Sequence, residues 1–327
     1  MRNFVYTRAG SEEEATRALS GQGVRAIAGG TDLLPLLKDE IASADTLLDL
    51  TGLTALRGTK RRDGALYIGA LTNLSALATD PLLAGSFKAL ADACRLAATP
   101  QLRNMGTIGG NLLQQTRCWY YRGPFDCWLK GGEKCYARTG ENELHSIFAT
   151  EESPCVSAHP SDPAAALLAL EASVTIRTAQ GESTIPVEHL YALPVPTRRS
   201  FDMLPQGALI TGITLPAPDL GAKSIYRKAM PRATWAFALA GIAIGISTKD
   251  GVISRARIGL SGVAPVPMRS RETEEELMGK KLEDVVPENV AEKLAASAAP
   301  LAHNGYKVAL LKGLFIETWA GLEETEG

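Results

Sequence analysis

Four of the five cysteines fall in one stretch, at Cys118, Cys127, Cys135 and Cys155, directly behind a Gly-Gly turn, Thr107-Ile108-Gly109-Gly110-Asn111. The clustering points to a metal or iron-sulfur site built beside an anion-binding loop. That pairing suggests an electron-transfer protein. The fifth, Cys94, sits among apolar neighbours in a predicted helix and reads as a buried structural thiol.

The spacing is Cys118-x8-Cys127-x7-Cys135-x19-Cys155. Structural zinc sites favour tight CxxC-type pairs, and none occurs. The compact bacterial ferredoxin spacing does not match either. A [4Fe-4S] cluster needs only four converging thiolates, which an irregular insertion can supply. Trp119, Tyr120, Tyr121, Phe125, Trp128, Tyr136 and Phe148 lie in or beside the segment. With only 4 Trp, 8 Tyr and 7 Phe in the chain, this is a concentration that could shield a redox centre from water. Arg117, Arg122, Lys130, Lys134 and Arg138 outnumber Asp126 and Glu133, and positive charge favours a reduced anionic cluster. A zinc knot with His145 or His159 as spare ligands fits the same residues, as do two labile disulfides. Neither histidine is assigned a ligand role, and His189 and His303 read as structural.

The 327 residues suggest about two domains, and 45% hydrophobic content supports a proper core. A net charge of −2 gives no nucleic-acid-binding surface. Lys60-Arg61-Arg62 and Arg198-Arg199 read as solvated turns, and Arg271 to Glu276 as the wet face of a helix start. Residues 1–14 show no signal-peptide core. The longest near-apolar run, Trp235 to Ile246, is shorter than the ~20 residues of a membrane span. A reducing cytoplasm is the default expectation, in which clustered cysteines are more often metal ligands than disulfides. Export with a partner's signal would place the chain in the periplasm instead.

Helices are predicted over 11–20, from Leu33 to Lys38, Leu82 to Ala98, and Pro163 to Leu170. Strands are predicted at Val24 to Ala28, Thr46 to Asp49, Leu66 to Ile68, Ser173 to Arg177 and Gly207 to Leu215. Pro216-Ala217-Pro218 is the best domain boundary. Beyond it, Trp235 to Ser247 and Val252 to Gly262 form a hairpin about Lys249-Asp250-Gly251. Three helices follow: Glu272 to Met278, with Thr273 and Glu276 as a capping box, Pro287 to His303, and Lys307 to Leu322. Strands with helices segregated to one side make an α+β fold.

Ala28-Gly29-Gly30-Thr31-Asp32 follows a strand and opens a helix, so its backbone N–H groups and the helix dipole suit a phosphate. Thr107 to Asn111 has similar chemistry. Two such loops could grip a diphosphate from two sides. Gly21-Gln22-Gly23-Val24-Arg25-Ala26 matches GxGxxA, but its glycines precede the strand, so it is not a dinucleotide fingerprint. No Ser-His-Asp or HExxH arrangement is present.

Together with Ile68-Gly69-Ala70-Leu71-Thr72, Pro100-Gln101-Leu102-Arg103-Asn104, Ser161-Asp162, Tyr226-Arg227-Lys228 and Arg232, these turns make the chain resemble the FAD-binding middle subunit of molybdenum hydroxylases. That family includes xanthine dehydrogenase, carbon monoxide dehydrogenase, bacterial aldehyde oxidoreductases and hydroxybenzoyl-CoA reductase. The likeness covers nearly the whole chain. It implies a two-part, vanillyl-alcohol-oxidase-like FAD domain over 1–217 and a smaller C-terminal α+β domain of hairpin and helices over 218–327. It implies FAD contacts from Ile27, Ala28, Gly29, Gly30, Thr31, Asp32 and Leu33. Further contacts come from Ala97, Ala98, Gly106, Thr107, Gly109, Gly110, Asn111, Asp162 and Ile210, with Lys228 or Arg227 near the flavin ring. The insertion over 115–158 resembles the branch that carries an extra [4Fe-4S] cluster, as in hydroxybenzoyl-CoA reductase and some aldehyde oxidoreductases. That resemblance implies ligation by Cys118, Cys127, Cys135 and Cys155. It further implies a molybdopterin-containing large subunit, where substrate chemistry occurs, and a [2Fe-2S] small subunit. Ferredoxin or another carrier is a further possible partner. The rival readings are a stand-alone flavin reductase resembling the enolpyruvyl reductases, and a zinc-knot scaffold.

Overall fold

The computed structural model describes residues 1–323. Three sheets organise the chain. The first is parallel, from β1 (Val5–Arg8), β2 (Val24–Ile27) and β3 (Thr46–Asp49), in the order β1-β3-β2. Its two faces follow from side-chain alternation along β3. Leu48 packs with Ala15 and Leu19 of helix Glu12–Leu19, whereas Leu47 packs with Leu37 of helix Leu33–Lys38. Ser11 caps the first helix by accepting from the Glu14 N–H.

The second sheet is antiparallel: β4 (Thr59–Arg62), β5 (Ala65–Gly69), β6 (Ser173–Thr178), β7 (Gly181–Pro186) and β8 (Leu209–Leu215), ordered β4-β5-β8-β6-β7. It shares the largest core with helices Lys88–Leu96 and Asp162–Ala169. The third, also antiparallel, holds β9 (Ala222–Ala229), β10 (Ala240–Lys249), β11 (Val252–Ser261) and β12 (Met268–Arg269), ordered β12-β11-β10-β9. Asp250 (φ 52°) and Gly251 (φ 77°) join β10 to β11. Two consecutive positive φ values make the tight turn that matches strand twist. Helices Arg271–Leu277, Pro287–Ala295 and Tyr306–Glu323 pack on this sheet around Trp319, Phe315 and Leu311.

Helix Asp162–Ala169 joins the second and third sheets. All eight of its residues are buried. Its alanines let neighbouring strands approach closely: a Cβ at Gly259 would stand 2.0 Å from the Ala165 carbonyl oxygen. Only glycine fits at that distance.

Several expectations need correction. The helix expected from Leu82 begins at Lys88, because Gly85 takes φ 67° and the preceding turns are 3₁₀. The last helix runs over Tyr306–Glu323, close to the expected span, but the one before it stops at Ala295, well short of His303. Thr273 and Glu276 form no capping box: Ser270 precedes the helix, Thr273 is buried inside it, and Glu276 pairs with Lys280 and Lys293. Glu274, expected on a wet face, is buried against Arg269 and accepts from the Ile258 N–H at 3.0 Å. Among the described residues no helix is long and apolar enough to cross a membrane.

Candidate functional site

The two glycine segments meet. A Cβ at Gly29 would stand 1.9 Å from the Met105 carbonyl oxygen, and one at Gly106 would lie 3.5 Å from Thr31 Oγ1. Asn73 Nδ2 donates to the Asn104 and Met105 carbonyls (2.8 and 3.2 Å), holding the second segment in place. The Thr107 to Asn111 turn is the start of a short helix, Ile108–Leu112, with Thr107 accepting from the Gly110 N–H. Gly30 takes φ 68°, which turns the backbone between β2 and the next helix. Among the described residues, the N–H groups of Gly29, Gly30, Thr31 and Asp32 find no acceptor within the chain. Unpaired, partly exposed N–H groups on a Gly-Gly turn are what an anionic ligand requires.

The other expected cofactor residues join this region through a chain of contacts. Ser161 Oγ donates to Asn111 Oδ1 at 2.6 Å. The next residue, Asp162, accepts from Tyr226 Oη and from Lys228 Nζ, each at 2.7 Å. Lys228 Nζ also donates to the Leu96 carbonyl at 3.2 Å. Leu96 leads into Ala97 and the left-handed Ala98 (φ 51°), whose carbonyls accept from Arg103. Ile27, Ala28 and Leu33 flank the first turn. Ile210 lies in β8 within the core, 4% exposed.

Strand alternation separates Lys228 from Arg227. Lys228 turns inward to Asp162, while Arg227 reaches Glu317 on the last helix at 2.8 Å. Of that pair, only Lys228 belongs to the connected set. The Asp162 and Lys228 side chains are 3% and 1% exposed. Breaking such a pair leaves an uncompensated buried charge, which costs about 3–5 kcal/mol. Lys228→Met is expected to lose that much in denaturant unfolding. Adding Asp162→Asn, which removes the stranded charge, is expected to recover part of it.

Asp32 has a role that was not foreseen. Its Oδ1 accepts from Arg117 (2.7 Å) and Arg122 (2.8 Å), and its Oδ2 from the Gln115 N–H (2.8 Å). The carboxylate therefore clamps the first glycine turn to the start of the cysteine segment. Burial pushes the Arg117 guanidinium down to about 10, with Asp32 opposing, and its Nε is buried without a partner among the described residues.

All five cysteines are free, and none pairs in a disulfide. Cys118, Cys127, Cys135 and Cys155 line one narrow apolar cavity, walled by Tyr120, Tyr121, Trp128, Leu129 and Tyr136. Among the described residues, no three His, Cys, Asp or Glu side chains stand close enough to hold a single metal ion. Burial pushes the Cys118 thiol up to about 11, with the Tyr121 and Tyr120 N–H groups opposing. It pushes Cys155 up to about 12, with Ser157 opposing. As bare thiolates these groups would be unfavourable, so they are not poised as free nucleophiles. A cationic metal core would reverse that balance.

Few of the residues between 115 and 158 are in helices or strands, so their carbonyls need other donors. The expected basic residues supply them. Arg138 donates to the Pro154 and Ser153 carbonyls, and Lys130 to the Gly123 carbonyl. Arg199, expected in a solvated turn, instead donates to the Trp128 and Gly132 carbonyls (2.7 and 2.9 Å) and lies over the Trp128 ring. Phe148 packs into the C-terminal core rather than the cysteine cavity, and Phe125 is 41% exposed. His145, weighed as a spare zinc ligand and given no ligand role, has its Nε2 3.2 Å from Cys118 Sγ. Its place within the cysteine segment is the signal that singles it out; no spacing rule pairs it with Cys118. His159 is buried against Tyr191 and accepts from the Ser161 N–H.

Residues 2–218 match the model of the FAD binding domain in molybdopterin dehydrogenase, and residues 225–322 match the CO dehydrogenase flavoprotein C-terminal domain. The chain is 37% identical to the aldehyde oxidoreductase FAD-binding subunit PaoB of Escherichia coli, over 95% of this chain and 96% of that one. It is 28% identical to the glyceraldehyde dehydrogenase medium chain of Sulfolobus acidocaldarius, over 91% and 89%. The fold superposes on a chain of carbon monoxide dehydrogenase from Hydrogenophaga pseudoflava with a TM-score of 0.77, at 24% identity, covering 99% and 98%. With two adjoining glycine segments in the first matched region and a full-length relative at this identity, the chain belongs to the family of FAD-binding subunits of molybdopterin dehydrogenases.

Proposed function

We propose that this chain is the electron-transfer subunit of a molybdenum hydroxylase-type complex, carrying FAD and a [4Fe-4S] cluster. When bound, FAD exchanges electrons in pairs or singly and the cluster takes them one at a time, so together they can connect a two-electron reaction to single-electron carriers. The unpaired N–H groups of residues 29–32 are the anion-holding part for FAD; the segment 106–111, whose Gly106, Ile108, Gly109, Gly110 and Asn111 N–H groups are taken up within the chain, forms the opposite wall, with Ala97 and Ala98 beside them. Asp162 and Lys228 brace that region through their mutual pair. Cys118, Cys127, Cys135 and Cys155 are the cluster ligands.

The observation that carries this reading is the shared cavity of four buried or half-buried cysteines, tied to the glycine turn by Asp32. Thiolates are the donors an iron-sulfur cluster takes, and the four cysteines on this cavity supply that donor set. The aromatic walls exclude water, and the Arg117–Asp32–Arg122 clamp keeps the two cofactor regions in register. In this reading residues 1–217 make up the FAD domain, with 115–158 inserted, and 218–327 the C-terminal domain. A molybdopterin-containing large subunit and a [2Fe-2S] small subunit complete the complex, with substrate chemistry on the former.

Metal, sulfide and flavin counts on anaerobically purified chain test this reading. The expected result is iron and sulfide in equal amounts, about four of each per chain, with one FAD. Zinc in place of iron, or folded protein without colour, would overturn it.

A further inference from the structure

The chain's own contacts fix His145 in place. It is 2% exposed. Its backbone N–H donates to the Asn142 carbonyl at 3.0 Å. Its own carbonyl accepts from Lys307 Nζ at 2.9 Å and Asn304 Nδ2 at 3.2 Å. Lys307 is itself fully buried and donates to the Gly262 carbonyl as well, which ties the 145 segment to the end of β11 and to the last helix. The imidazole meets the Trp119 ring edge-on, with centroids 5.6 Å apart and planes at 70°. These contacts aim Nε2 at Cys118 Sγ, 3.2 Å away.

The chemistry then selects one tautomer. An iron-bound thiolate carries no proton, so the contact is favourable only if Nε2 bears the hydrogen. Nδ1 is left as the bare acceptor, and Nδ1 is the ring nitrogen that finds no partner among the described residues. Cys155 has a weaker counterpart, its Sγ lying 3.3 Å from Ser157 Oγ. The sulfur environment is therefore asymmetric, with the ring donor on Cys118.

We propose that His145 is a positioning residue for the cluster, donating an N–H···S hydrogen bond to the Cys118 ligand and thereby raising the cluster's reduction potential. The proposal rests on the [4Fe-4S] reading. A donor to a ligand sulfur stabilises the extra negative charge of the reduced state more than the oxidised state, which is one of the protein's levers on such a centre.

The test uses the full chain, with FAD, purified without oxygen. His145→Phe keeps a buried ring beside Trp119 and removes the donor; His145→Gln can restore an N–H. The expected result is wild-type iron and flavin content in both variants. The midpoint potential of the cluster should shift downward in His145→Phe and return toward wild type in His145→Gln. An unchanged potential in His145→Phe at full iron content overturns the proposal. Pulsed electron paramagnetic resonance on reduced wild-type protein, grown with 15N-histidine, gives an answer even if the variants misfold. A nitrogen coupling from histidine supports the bond, and its absence from an iron-replete sample overturns it. Iron-free wild-type protein would instead strike down the cluster reading itself, and the iron count separates the two failures.

Discussion

Gly29→Ala is expected to yield folded protein that has lost most of its flavin. A methyl at residue 29 would lie 1.9 Å from the Met105 carbonyl oxygen and 2.5 Å from its carbon, both backbone atoms. Backbone cannot swing aside as a long side chain can, so the two glycine segments must part. The strain is local, because residue 29 does not need the left-handed conformation that Gly30 adopts. Overpacking of this kind costs about 1–3 kcal/mol. Relief comes from opening the place where the cofactor is held, so the cost appears in binding. At ~1.4 kcal/mol per tenfold, FAD affinity should fall by roughly ten- to a hundredfold. Gly110 makes a useful contrast. A Cβ there meets only Thr107 Oγ1, at 3.1 Å, and the residue is exposed. Gly110→Ala should keep most of its flavin, while the branched Gly110→Val should lose it by occupying the space the cofactor needs. Flavin absorbance after gel filtration, with a thermal melt to confirm folding, distinguishes the cases. Full FAD occupancy in Gly29→Ala would show that the contact between the two segments is not part of the cofactor site.

The parts of this molecule that sequence could reveal are those with a local physical cause. Val24–Ile27 is a short apolar strand running into Gly-Gly, and its neighbour Thr46–Asp49 is equally plain. Asp250-Gly251 between two apolar runs can hardly be anything but a hairpin turn. Strands without a buried face were invisible: every residue of β1 is exposed, as are five of the six in β7, so neither alternates. β9 was read as a motif rather than a strand, although its two faces are what divide Lys228 from Arg227. The glycine segments were legible as separate turns, but their contact at Gly29 and Met105 joins residues 76 positions apart and leaves no local mark. The same holds for the site's electrostatics. Asp32 looked like a cofactor contact because it closes a phosphate-type loop; Arg117 and Arg122, which take its carboxylate, looked like counter-charges for a cluster. Arg199 looked solvated because two adjacent arginines usually are, yet it satisfies two carbonyls of the cysteine segment. In each case the charged residue has a tertiary partner far away in the chain, which no local pattern marks.

Cys127→Ser is expected to remove the iron and leave the flavin. Cys127 is 5% exposed, and its carbonyl accepts from the Lys130 and Gly132 N–H groups (2.9 and 3.1 Å). The Trp128 N–H donates to the Lys134 carbonyl at 2.8 Å. None of these bonds uses the sulfur, so serine can occupy the same turn. What changes is the donor atom. Iron-sulfur clusters are held by soft thiolates, and a buried serine hydroxyl is a far poorer ligand. With three thiolates left, assembly should fall to a small fraction of the wild-type iron content, and the broad visible absorbance should go with it. Flavin should stay, because the bonds that tie the cysteine segment to the glycine turn run through Asp32, Arg117, Arg122 and the Gln115 N–H, all before Cys127 in the chain. Cys94→Ser is the matched control. Cys94 is fully buried in helix Lys88–Leu96, away from the cavity, and burial pushes its thiol far up. A hydroxyl there costs stability, about 1–3 kcal/mol for an unsatisfied buried polar group, but should alter neither iron nor flavin. Iron retained in Cys127→Ser would remove that residue from the ligand set. Iron and flavin lost together would mean that the cysteine segment and the FAD region form as one cooperative unit, with the Asp32 clamp as the physical link between them.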